Sequence, residues 1–118
     1  MTPIPTPQRG EIWWVDFDPS IPPEQQKVRP AVVMSDRTTG RLSLRIVVPI
    51  TGWLPIFASY DWFVHLDPTT DNGLTKESGA DAFQVKSLSL DRFRNRLGIL
   101  TPAETEDIAV AIANCVGV

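Results

Sequence analysis

In the stretch Val28-Arg29-Pro30-Ala31-Val32-Val33-Met34-Ser35 an arginine stands before a proline, and the proline opens a short apolar run. Proline fixes its own φ and pushes the preceding residue toward an extended conformation. Arg29 is therefore expected at the lip of a strand, at the end of the loop Pro19–Val28, with Ala31–Met34 running into a core. A guanidinium held there is planar, always charged and carries a fork of donors that suits an oxyanion. The bland alternative is an arginine that only salt-bridges a loop carboxylate. This stretch alone favours the alternative.

The rest of the chain reads as a succession of short strands. Met1–Gln8 holds three prolines and little that packs, so residues 1–9 are expected to form a loose arm ahead of a single domain spanning residues 10–118. Gly10–Phe17 is rich in β-branched and aromatic residues, and Asp18-Pro19 ends it. Pro22-Pro23 is expected to keep the next loop extended and stiff. Ala31–Ser35 is the second strand, Thr38-Thr39-Gly40 a turn, and Leu44–Ile50 the third strand, with Pro49 at its end or edge. Gly52–Ser59 reads as a loop in which Trp53 and Phe57 are either exposed or packed. Tyr60–Leu66 is the fourth strand, with Trp62, Val64 and Leu66 on one face and Asp61, Phe63 and His65 on the other. Asp67–Gly79 is polar and turn-rich, Ala82–Leu88 the fifth strand, and Arg96–Leu100 a short sixth. Thr101-Pro102-Ala103-Glu104 is a capping box with proline at the first helical position; it starts a helix of about three turns with Ile108, Ile112 and Cys115 or Val116 as its apolar stripe. Short strands at close spacing with one terminal helix point to a small, strongly bent antiparallel β-barrel capped by that helix.

Composition narrows the function classes. The lone cysteine, Cys115, forms no internal disulfide and fits a reducing cytoplasm. The first residues lack a signal-peptide pattern, and no apolar run approaches a membrane span, so a cytoplasmic protein away from membranes is expected. The net charge of −3 argues against a surface that binds nucleic acid all over. Basic residues nevertheless cluster. Lys27, Arg29, Arg37, Arg41 and Arg45 share one segment with a single acid, Asp36, and Arg92, Arg94 and Arg96 form a second group. Local patches of this kind can serve phosphates within an acidic whole.

Neither a metal-ligand spacing nor a glycine-rich phosphate loop is present in the sequence, so no metal and no cofactor are expected. His65 lies mid-strand and Cys115 on the terminal helix, where structural roles are the simpler reading. Glu24, Arg29 and Thr51 remain. If strands two and three pair, Thr51 comes near Arg29. A carboxylate, a guanidinium and a hydroxyl suffice for cleavage of RNA by its own 2′-hydroxyl, which needs a proton acceptor, a cation on the phosphorane oxygens and a donor to the leaving 5′-oxygen. The alternative is a partly solvated Glu24–Arg29 pair worth little.

These residues also carry a resemblance. Trp14-Val15-Asp16-Phe17-Asp18-Pro19, Glu24-Gln25, Arg29–Ser35, Val48-Pro49-Ile50-Thr51, Gln84-Val85-Lys86-Ser87 and Arg96-Leu97-Gly98 resemble the MazF/PemK toxins, the mRNA interferases of type II toxin–antitoxin pairs. The resemblance covers nearly everything from Gly10 onward. It implies an SH3-like (CcdB/Kid-like) barrel with a C-terminal helix, acting as a homodimer. It implies metal-independent cleavage of single-stranded RNA that leaves a 2′,3′-cyclic phosphate and a 5′-hydroxyl. A cognate antitoxin would hold the toxin inactive through an acidic, disordered tail, and the two together would bind DNA. The family's catalytic arginine and threonine fall on Arg29 and Thr51, and its loop glutamate on Glu24. Gln25, Lys27, Gln84 and Lys86 are the implied RNA contacts. Because arginine is always protonated, Glu24 is the better acceptor for the 2′-OH proton, with Arg29 on the phosphorane and Thr51 on a phosphate oxygen. Lys27-Val28 stand where family loops usually carry a glycine, and Phe83 stands where an acidic residue is common. Two other readings compete. One is a CcdB-like gyrase poison that acts by protein contact; the other is a degenerate toxin that binds RNA or antitoxin without efficient cleavage.

Overall fold

The computed structural model of the chain describes residues 6–36 and 42–118. Seven strands and one long helix make up its regular structure: β1 Glu11–Asp16, β2 Val28–Val33, β3 Leu44–Gly52, β4 Phe63–Leu66, β5 Ser78–Asp81, β6 Lys86–Ser89, β7 Phe93–Ile99 and α1 Pro102–Cys115. The sheet runs β4-β5-β3-β2-β1-β7, with β6 also on β3, and every pairing is antiparallel. The expected barrel is thus a strongly bent sheet: among the described residues no ladder joins β4 to β7. The class, mainly antiparallel β with one C-terminal helix, is the one expected.

Alternation buries both faces of the central strands. Ile12, Val32, Val48, Ile50, Leu66 and Leu100 form one core under Ile108 of α1. Val15, Phe17, Ala31, Val33, Val47, Leu88 and Phe93 form the other. A chain of this size gains most of its stability from such burial. The helix starts as its sequence dictates. Thr101 Oγ1 accepts from the Glu104 N–H, and Glu104 returns a bond to the Thr101 N–H, 3.1 and 3.0 Å. Its buried stripe is Thr105, Ile108 and Ala111; Ile112 is half-buried against the core, and Val116 is exposed.

Two prolines explain where the ladders stop. The Met34 N–H donates to the Ile46 carbonyl, so even-numbered residues of β2 and β3 face each other and odd-numbered residues of β3 face β5 and β6. The ladder runs only to Ala31↔Pro49. Pro30 is the next residue that should donate to β3, and it has no N–H. Past that pair β2 stays with β1, and β3 turns onto β5. Pro49, with no N–H to offer on its other side, lies opposite the gap between β6 and β5. It therefore sits inside a nine-residue strand, not at its end.

Several other expectations shift. β2 begins at Val28, which places Arg29 within the strand opposite Val15 and not at its lip. The expected strand Ala82–Leu88 is split. Its first residues form a 3-10 turn, Ala82–Gln84, and β5 lies upstream in a segment read as loop. The fourth strand is shortened to Phe63–Leu66 because Tyr60 closes a 3-10 turn, Pro55–Ser59. The last strand begins earlier, at Phe93. Pro22-Pro23 does not keep its loop extended: the chain folds back there, with the Glu24 N–H on the Ile21 carbonyl at 2.9 Å. Residues 6–9 are not loose. Pro7 is buried, its carbonyl accepts from Arg45 Nε at 2.9 Å, and Arg9 donates to the Met34 carbonyl. The turn read at Thr38–Gly40 lies outside the described residues.

Candidate active site

The parting of β2 and β3 opens a cleft of about 240 Å³. Arg29 and Pro30 line one wall, Ile50, Thr51 and Gly52 the other, and Thr75, Lys76 and Ser78 close it. Two residues beyond Ala31↔Pro49 on each strand, Arg29 and Thr51 lie across the fork from one another. Arg29 is exposed, and its guanidinium has neither a hydrogen bond nor an ion pair among the described residues. The alternative of a Glu24–Arg29 salt bridge is therefore not what the chain adopts. A guanidinium with open donors beside a hydroxyl is arranged to receive an anion with several oxygens.

Lys76 was missed by sequence reading. A Cβ placed on Gly52 would come within 3.2 Å of Lys76 Nζ, so the ammonium lies over the end of β3, next to Thr51. It has no acidic partner among the described residues. Its segment, read as a polar turn, is rigidly built. The buried Asn72 amide accepts from the N–H groups of Thr69 and Leu74 and donates to the Asp67 carbonyl. Asp71–Gly73 then packs on β7 at Gly98, where any Cβ would stand 2.4 Å from the Asn72 backbone. The signal in the sequence was Asn72-Gly73 followed by a lone lysine, but nothing there said which cleft the lysine faces.

Glu24, Gln84 and Lys86 line a second cavity of about 570 Å³ beside the fork, and Gln25 lines both. The loop joining β1 and β2 is pinned there. The Gln25 N–H donates to Gln84 Oε1 at 2.6 Å, and Gln84 Nε2 donates to Asp81 at 3.1 Å. Burial raises the Asp81 carboxyl above its ordinary value, against the hydrogen bonds from Gln84 and Phe83. The Glu24 carboxylate accepts from the Ile21 N–H at 2.8 Å, so this loop conformation does not bring it into the fork with Arg29 and Thr51. Lys27 is exposed with φ of 65°, its N–H on Asp18 Oδ1. That is the left-handed conformation a glycine adopts without strain.

The remaining basic residues are largely committed elsewhere. Arg45, placed by sequence in the first patch, is buried and donates to the Pro7, Leu42 and Leu44 carbonyls. Arg92 donates to the Asp16 and Asp18 carbonyls, Arg94 pairs with Asp16, and Arg96 with Glu11. The second group therefore ties β7 to β1. Arg37 and Arg41 lie outside the described residues. Trp53 and Phe57 are half-buried in an aromatic cluster with Phe63 and His65, and His65 is exposed, 2.7 Å from Glu77. Burial and the Asp81 carboxylate push the Cys115 thiol up, away from thiolate chemistry. No helix among the described residues is long and apolar enough to cross a membrane.

A bent antiparallel sheet under a helical cap thus forks to present an unpaired arginine, a threonine and a lysine around one cleft, a donor set of the kind that suits an oxyanion. Comparison with known proteins gives the family. Residues 8–116 match the family described as PemK-like, MazF-like toxin of type II toxin–antitoxin system, and the chain belongs to it. It is 34% identical over 111 residues to the Mycobacterium tuberculosis protein named Endoribonuclease MazF9, covering 89% of this chain and 92% of that one. Its fold is similar to MazF from Deinococcus radiodurans, with a TM-score of 0.80 at 23% identity over 97% of this chain and 99% of that one. It is also similar to an endoribonuclease from a mycobacterial species solved with its cognate antitoxin, with a TM-score of 0.75 at 21% identity over 95% and 96%.

Proposed function

We propose that this MazF-type toxin is an endoribonuclease that cuts single-stranded RNA at the β2–β3 fork without a metal ion. The observation that carries the reading is the unpaired Arg29 guanidinium across the fork from Thr51. The 2′-oxygen attacks the adjacent phosphorus, the bond from phosphorus to the 5′-oxygen breaks, and a 2′,3′-cyclic phosphate and a 5′-hydroxyl result. Glu24 takes the 2′-OH proton and releases it to solvent, and the 5′-oxygen takes its proton from Arg29, which regains one from solvent, so no proton is gained or lost overall. Arg29 stabilises the extra negative charge on the phosphorane and hydrogen-bonds the leaving oxygen, while Thr51 and Lys76 hold non-bridging oxygens. Glu24 takes the 2′-OH proton once bound RNA draws the loop toward the fork and its bond to Ile21 opens. Gln25, Lys27, Gln84 and Lys86 contact the RNA on either side.

The same reading includes a cytoplasmic setting, a homodimer and a cognate antitoxin whose acidic tail folds over the fork and its cations. The test is cleavage of a long, mostly unstructured RNA in EDTA. Discrete cuts by wild type that vanish in Arg29→Ala support it. No cuts from folded, antitoxin-free protein would move the function to protein contact. Full cleavage by Glu24→Gln with an unchanged pH profile would remove Glu24 as the base.

A further inference from the structure

We propose that the cavity beside the fork is a nucleobase subsite, in which Phe83 and Trp62 supply the stacking faces and Asp81 and Gln84 read the edge of the base. This rests on the ribonuclease reading above and adds the nucleotide next to the scissile phosphate. Phe83 is 65% exposed at the middle of the Ala82–Gln84 turn, so its ring adds little to the core. Its centroid is 5.7 Å from that of Trp62, at 59°, and Trp62 is stacked on Tyr60 at 4.7 Å and 7°. Phe83 and Trp62, the latter backed by Tyr60, form an aromatic wall on a cavity of about 570 Å³.

The polar wall identifies the occupant. Gln84 is fixed between the Gln25 N–H and the Asp81 carboxylate, and Asp81 also accepts from the Phe83 N–H at 3.2 Å. Both groups line the cavity and keep spare hydrogen-bonding capacity: lone pairs on the Asp81 carboxylate and the second N–H of the Gln84 amide. An apolar side chain seated here would leave those groups unpaired, at a cost. A base satisfies both walls, because it is flat and apolar on its face and polar around its rim. Asp81, acceptor-only when ionised, favours an edge that offers an N–H. Gln25 lines both this cavity and the fork, so an RNA strand with one phosphate on Arg29 reaches the aromatic wall with a neighbouring nucleotide.

The experiment maps cut sites on a long unstructured RNA for wild type, Phe83→Ala and Phe83→Trp. In parallel it measures binding of a short random-sequence single-stranded RNA to Arg29→Ala and to Arg29→Ala/Phe83→Ala. Phe83 is exposed, so the variants fold, which an unchanged thermal midpoint checks. Phe83→Ala is expected to go on cutting in EDTA, with a flattened base preference at one position beside the cut. Its kcat/KM on preferred sites should fall on the order of tenfold, chiefly through KM. Phe83→Trp should keep rate and preference. Unchanged base frequencies, rate and RNA affinity in Phe83→Ala would overturn the subsite, give the face to a protein partner and leave the ribonuclease reading intact. If wild type makes no cuts, the ribonuclease reading fails. The binding arm then decides the subsite alone: RNA affinity lost with Phe83 supports it, and equal affinity overturns it.

Discussion

At the scale of single residues, the site depends on which charges are left without partners. Lys76 has none among the described residues and lies over Gly52. If it holds a non-bridging oxygen, Lys76→Ala should lower cleavage on the order of ten- to a hundredfold, about 1.4–2.7 kcal/mol. Lys76→Arg should recover part of the loss. A thermal midpoint that moves as far as the rate would mark the residue as structural. Glu11 shows the opposite arrangement. Burial alone would raise its carboxyl, but bonds from the Gln8 N–H, the Trp13 indole and Arg96 outweigh it, and the group lies below its ordinary 4.5. A depressed folded value means the stabilisation is complete above the unfolded value and is lost as pH falls through the folded one. Wild type should therefore lose stability on acidification below about pH 4.5. Glu11→Gln should be less stable at neutral pH and show a flatter acid limb, read by thermal unfolding across pH.

At the scale of elements, the fork exists because Pro30 has no N–H to give β3. Pro30→Ala restores a donor opposite Ile50. The ladder should extend by a pair, the amide of residue 30 should become protected from hydrogen exchange, and cleavage should drop by about tenfold as the cleft narrows. Stability should stay level or rise. Retained activity with a protected amide would separate the fork from the chemistry. Elements were legible in the sequence wherever one local rule decided them. The capping box Thr101–Glu104 marked the helix start, and the β-branched and aromatic content of Gly10–Phe17 marked β1. β5 was hidden because Ser78-Gly79-Ala80-Asp81 has the composition of a loop. Gly79 is required there, since a Cβ would stand 2.9 Å from the Trp53 ring. That constraint comes from a side chain far along the chain.

At the scale of the whole molecule, an acidic protein must meet an acidic polymer. With a net charge of −3, long-range attraction is absent, and on the proposed reading RNA binding rests on the local cations Arg29, Lys76 and Lys86 of the two cavities and the exposed Lys27. For single strands the slope of log affinity against log salt is about −0.7 for each phosphate neutralised, so these residues give a slope of about −3. Each substitution to alanine should make it shallower by about 0.7. A slope near zero in wild type would remove electrostatics from recognition.

The sequence by itself determined the order of the strands along most of the chain, the capped helix, the family resemblance and the Arg29–Thr51 pair. The strands and the helix follow from side-chain period, proline geometry and short-range caps, which act over a few residues, while the Arg29–Thr51 pair is what the motif resemblance implies. Only the tertiary structure decided which charges stay available. It buried Arg45 on the Pro7 carbonyl, tied Arg92, Arg94 and Arg96 to β1, held Glu24 on its own loop and brought Lys76 to the cleft. A guanidinium looks the same in sequence whether it meets a carbonyl, a carboxylate or open solvent. Its partner is set by segments that meet only after the sheet has bent.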